Sequence, residues 1–110
     1  MKNVYLIGLI IIGLALSSCN KEDDSIRFFW NQTKCSDPWN TGENNSNEQT
    51  KKSLKLYLEN SNINALRIDF DNNSPLDILC KSCGCGTGQR IIVEVMKKDE
   101  IVITNLNFYQ

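Results

Sequence analysis

The tightest constraint on this chain is Cys80-Lys81-Ser82-Cys83-Gly84-Cys85-Gly86, which puts three thiols within six residues of a sequence that has no histidine. With Cys35 far upstream they make a set of four, Cys35, Cys80, Cys83 and Cys85, and a fifth cysteine stands apart at position 19. Without histidine, Ser–His and Cys–His catalysis and every His-ligated metal site are excluded. Three uses remain for the four thiols: structural disulfides, a four-thiolate metal cage, or a redox-active pair. The choice depends on which side of a membrane the sulfurs occupy, and the N-terminus bears on that directly.

Lys2 opens the chain with a positive charge, and Val4–Leu16 follows as thirteen uncharged, mostly apolar residues. A membrane-spanning helix needs about 20 such residues, so this stretch has the length of a secretory signal and not of a permanent span. Small residues then lead into cysteine in Leu16-Ser17-Ser18-Cys19. That quartet resembles the lipobox of bacterial lipoproteins. The resemblance implies cleavage between Ser18 and Cys19, a diacylglycerol thioether on Cys19 and acylation of the new amino group. Several acyl chains hold a protein firmly on a membrane that it does not cross. The expected divisions are therefore a signal peptide over 1–18, a lipidated acidic tether over 19–25 and one small crosslinked domain over 26–110.

The tether, Asn20-Lys21-Glu22-Asp23-Asp24-Ser25, is polar and mostly acidic. It reads as a solvated spacer or, alternatively, as a surface-export signal, since an acidic cluster after the lipid cysteine resembles those of some Gram-negative lipoproteins. Asn20 in place of Asp after the lipid cysteine departs from the commonest inner-membrane retention signal. The expected address is thus the outer membrane, on its periplasmic face or at the cell surface. Asp24-Ser25-Ile26 looks like a short bacterial O-glycosylation site, carried by only three residues.

Of the 12 Lys and Arg only Lys2 lies in residues 1–18, and none of the 13 Asp and Glu does, so the mature chain is slightly acidic. It contains no basic run, which makes nucleic acid and anionic lipid surfaces poor partners. Chains this short bury a modest core and often need a disulfide, a metal or a partner to fold. The expected partners are the membrane, through the lipid on Cys19, and a protein or glycan; the expected state is a monomer, with no cofactor.

Ile26, Phe28 and Trp30 alternate along Ile26–Gln32 and mark a first strand. Ser36-Asp37-Pro38-Trp39-Asn40-Thr41-Gly42 is turn chemistry, and the Asn-rich run 40–49 reads as an exposed loop. Ser46 and Gln49 have capping-box spacing ahead of Leu54, Tyr57 and Leu58, which fall on one helical face; Asn60-Ser61-Asn62 ends that helix. Ala65–Asp71 alternates with Leu66, Ile68 and Phe70 inward, and Ile91–Met96 is another strand. Lys97–Glu100 is a polar turn, after which Ile101–Phe108 fits either a hairpin strand or, with Asp99 as cap, a short helix packing back on the sheet. The fold class is α+β: a small antiparallel sheet of about three strands in β-α-β-β order, with one main helix and a C-terminal helix or strand.

An even number of cysteines in a small exported domain reads as a disulfide framework. Bridging Cys83 to Cys85 closes a very tight ring against the usual Cα separations, so pairing 35–80 with 83–85 is disfavoured. Two plans stay open: 80–83 with 35–85, and 35–83 with 80–85. A metal cage on the same four thiolates suits tetrahedral zinc or Cu(I), although the spacing departs from paired Cys-x-x-Cys knuckles. Redox use of Cys80-Lys81-Ser82-Cys83 calls for a helix N-terminus after a strand, where this sequence has Gly84, Gly86 and Gly88. Gly84–Arg90 lacks the Gly-Lys-Ser/Thr ending of a phosphate loop and reads as a tight turn between crosslinks. Asp69 and Asp71 share a strand face and read as solvated, and Trp30 and Trp39, which flank Cys35, read as packed on a disulfide. The chain as a whole is loosely similar to small envelope lipoproteins with a CxxCxC cluster near the C-terminus, a likeness that implies location and size. The expected function is a non-enzymatic, membrane-anchored interaction or structural module; a metal-binding lipoprotein that uses the four thiolates and a thiol-redox accessory are the alternatives.

Overall fold

The computed structural model describes residues 24–72 and 79–110. Ser18, Cys19 and all of the expected tether before Asp24 lie outside the described residues. The first strand, β1 (Ser25–Thr33), is followed by helix α1 (Asn47–Glu59), then β2 (Arg67–Asn72) and β3 (Gly86–Met96). A 3-10 turn over Lys97–Asp99 leads into a short helix, α2 (Glu100–Asn105). The three strands form an antiparallel sheet in the order β1-β3-β2. The architecture is thus the expected α+β arrangement in β-α-β-β order, with a C-terminal helix.

Alternation along the strands divides the sheet into two faces. Phe28 and Ile68 both stand opposite Val93, and Trp30 and Phe70 both stand opposite Ile91. These side chains face the helices. Leu54 and Leu58 of α1, Ile103 of α2 and Phe108 complete the core with Phe28, Ile91, Val93 and Val95. The opposite face carries Arg27, Phe29 and Asn31 of β1, Arg90, Ile92 and Glu94 of β3, and Arg67, Asp69 and Asp71 of β2.

Helix α1 begins as the capping box dictates: Ser46 Oγ accepts from the Gln49 N–H at 3.2 Å, and Gln49 Oε1 accepts from the Ser46 N–H at 2.9 Å. It ends where Asn62 takes a left-handed φ of 61° and the Ile63 N–H returns to the Leu58 carbonyl at 3.0 Å, burying Ile63.

Three expectations need correction. Strand β3 starts at Gly86, so Gly86–Arg90 is sheet and not a tight turn. That stretch has no apolar pattern; its pairing is supplied by the polar ends of β1 and β2. A register shift between Asn31 and Thr33 is absorbed on β3, where Gly88 adopts φ 86°, a conformation that only glycine takes cheaply. The alternation of β2 predicts Leu66 inward, yet it is 48% exposed, because it lies just ahead of the edge strand in an open groove between that strand and α1. The Asn-rich loop is exposed from Glu43 onward, but Thr41 and Gly42 are buried. At Gly42 a Cβ would sit 1.9 Å from the Lys34 carbonyl oxygen, so two backbone segments meet there.

Candidate functional site

The four cysteines converge on one corner of the sheet. Past Thr33 the chain keeps running alongside the segment that precedes β3: the Lys34 N–H donates to the Cys85 carbonyl at 2.8 Å, and the Cys35 N–H to the Cys83 carbonyl at 3.1 Å. That backbone ladder sets Cys35 against Cys83 with Cα atoms 4.5 Å apart, and the two sulfurs are bonded. Cys80 and Cys85, with Cα atoms 6.0 Å apart, form the second disulfide. Of the two plans the sequence leaves open, the chain uses 35–83 with 80–85. Cys80 and Cys83 are not bonded to each other, so Cys80-Lys81-Ser82-Cys83 is not closed as a disulfide of its own. Lys34 Nζ donates to the Cys80 carbonyl, and Ser82 Oγ lies 3.1 Å from Cys85 Sγ. Cys35 and Cys83 are exposed, whereas Cys85 is buried.

Beside this corner, Asp37 is buried against Trp30 and Thr33. Its Oδ1 accepts from Trp30 Nε1 at 2.9 Å, from Thr33 Oγ1 at 2.9 Å and from the Thr33 N–H at 3.1 Å, and Oδ2 lies 3.3 Å from the same N–H. Burial pushes the Asp37 carboxyl above its ordinary value, opposed by the bonds from Trp30 and Thr33. Trp39 is buried too, but its ring partners are Trp30 at 5.0 Å, Tyr57 at 5.6 Å and Phe108 at 6.0 Å. The two tryptophans thus build an aromatic wall in the core, where the sequence predicts packing on a disulfide.

The open face of the sheet is a lattice of charge. Arg90 lies opposite Asp71 and grips it with two bonds, Nε to Oδ1 at 3.1 Å and Nη2 to Oδ2 at 2.7 Å. The guanidinium hydrogen bond holds the Asp71 carboxyl below its usual range and raises Arg90 in turn. Arg90 also sits 4.3 Å above the Phe29 ring. Asp69 pairs with Arg67 at 2.9 Å, and Glu94 lies between Arg27 and Arg67 in the strand register, 3.8 Å from Arg27. Asp69 and Asp71 stand on the solvated face, as read, and each is matched there to an arginine. No local signal marks Arg90, because its partner lies on another strand; only the β2–β3 register reveals it.

Phe29 makes one more contact. Tyr109 exchanges both backbone bonds with it, N to O at 2.6 and 3.0 Å, and the Tyr109 hydroxyl reaches Asn31 Oδ1 at 2.7 Å. The C-terminus therefore meets the outer edge of β1 at Phe29; of the two alternatives open to Ile101–Phe108 the tail takes the helix, and the isolated bridge at Tyr109 follows it. The outer side of β2 has no such cover among the described residues.

No family model, curated protein or solved structure matches this chain.

Proposed function

We propose that the chain is a lipid-anchored module of the bacterial envelope, held to the outer membrane through Cys19, that acts by contact with a partner and not by catalysis. One observation carries the reading. Cys35 is bonded to Cys83 and Cys80 to Cys85, so the cysteine left over is residue 19, the last of Leu16-Ser17-Ser18-Cys19. Disulfides persist outside the reducing cytosol, which is also where a lipobox sends a protein. The crosslinks and the N-terminus therefore support the same compartment from independent residues.

The non-enzymatic reading is supported by the lack of histidine and by the state of the carboxylates. Asp37 is committed to Trp30 and Thr33, and Asp69 and Asp71 to arginines. Metal binding needs these sulfurs as free thiolates, whereas a thiol-redox role would cycle them between disulfide and dithiol. The test is radiolabelled palmitate incorporation by the full chain and by Cys19→Ala in a bacterial host that acylates lipoproteins. We expect label on the wild type and none on the variant. Unlabelled wild-type protein that retains residues 1–18 would overturn the anchor.

A further inference from the structure

The sheet has two outer edges, and they are treated differently. Tyr109 occupies the β1 edge at Phe29 through its exchange of backbone bonds with that residue, while β2 ends the other side with no strand against it among the described residues. Alongside that open edge, between α1 and β2, lies a groove of about 550 Å³. Leu66 and Ile68 form its apolar floor, and Lys51, Lys52, Lys55 and Arg67 rim it against the single carboxylate of Glu48.

Two of those cations are already engaged, Lys51 with Glu48 at 3.9 Å and Arg67 with Asp69 at 2.9 Å. Lys52 and Lys55 are exposed and have no ion-pair partner among the described residues. A chain of net negative charge thus concentrates uncompensated positive charge beside a free strand edge.

We propose that this groove receives an extended acidic peptide segment of a partner protein, which adds to the sheet as a strand beside β2. A strand edge offers alternating N–H donors and C=O acceptors, and only another extended backbone satisfies both. A phosphate or lipid headgroup would meet the cations but leave the carbonyls unanswered. Side chains of an added strand alternate between faces, so acidic residues at every second position all point to the α1 side, towards Lys51, Lys52 and Lys55. Their methylenes would cover Leu66 and Ile68. The lysines project from the helix across the groove mouth, where they draw in an acidic strand and repel a basic one.

This inference deepens the interaction-module reading and rests on it; anchoring is scored separately by palmitate, so each can fail alone. The experiment uses the full mature chain in detergent and a fluorescent Thr-Glu repeat peptide of about eight residues, enough to span a strand of ordinary length, followed by anisotropy. Its companions are a Thr-Lys repeat, a Thr-Glu repeat N-methylated at alternate amides, and inorganic phosphate. We expect saturable binding of the Thr-Glu peptide that weakens with salt, and a loss of about tenfold in the Lys52→Glu/Lys55→Glu variant, both substitutions being on exposed helix positions. The N-methylated peptide should bind far more weakly, because it keeps the charge and loses the backbone donors. No binding, equal binding by the N-methylated peptide, or full competition by phosphate at matched charge would each overturn the proposal.

Discussion

The indole nitrogen of Trp30 donates to Oδ1 of Asp37 across 2.9 Å, tying a core-facing side chain of β1 to the turn that follows it. Thr33 completes the attachment from hydroxyl and backbone. The Ser36–Gly42 turn is therefore fastened from within by one carboxylate. Substituting Asp37→Ala should leave the Trp30 and Thr33 donors unpaired in a buried site and cost about 1–3 kcal/mol in chemical unfolding. Asp37→Asn keeps the accepting oxygen and should cost less. Equal stability of the Ala variant and the wild type would contradict this role.

The same residue sets a pH dependence. Burial raises the Asp37 carboxyl, so the folded chain holds that proton more tightly than the unfolded chain. Its contribution is fully present below the ordinary carboxylate range and is lost as pH rises through the raised folded value. Asp71 acts in the opposite sense: its lowered carboxyl stabilises above the ordinary range, and that contribution fades as pH falls. Unfolding midpoints followed from about pH 4 to about pH 8 should therefore gain less on acidification in Asp37→Asn than in the wild type. Superimposable profiles would rule out the Asp37 linkage.

Gly42 and Gly84 make a paired test of backbone approach. An added methyl at Gly42 meets the Lys34 carbonyl oxygen at 1.9 Å, while at Gly84 nothing lies within 4 Å. Gly42→Ala should destabilise by about 1–3 kcal/mol through forced backbone displacement. Gly84→Ala should be close to neutral in the same unfolding assay.

The two disulfides should differ in weight. Cys35–Cys83 spans 48 residues and Cys80–Cys85 spans 5. Chain-entropy reasoning puts their contributions at about 4 and about 2 kcal/mol. Replacing the Cys35–Cys83 pair with serines should lower the urea midpoint more than replacing the Cys80–Cys85 pair. The reverse order would mean that local geometry at Cys80–Cys85 outweighs loop length.

Much of the fold is legible wherever a local signal sets the structure. Ser46 and Gln49 announce the start of α1, and the alternation of Ile26, Phe28 and Trp30 announces the core face of β1, because capping and period-two burial act over neighbouring residues. The full length of β3 is not legible: Gly86–Gln89 is held in the sheet by pairing with distant β1 and β2, and nothing apolar marks it. Arg90 with Asp71 and Tyr109 with Phe29 escape for the same reason, being contacts between separate strands. For the cysteines, spacing narrows the plans to two, and the ladder from Lys34 and Cys35 to Cys85 and Cys83 decides between them.

Export, acylation and crosslinking belong together in the proposed life of this chain. Intact mass of the protein recovered from membranes under non-reducing conditions reads all three at once. The expected species begins at an acylated Cys19, is lighter by four hydrogens than its fully reduced form, as two disulfides require, and carries no metal. A full-length chain with every thiol free, or one retaining an equivalent of zinc or copper, would refute it.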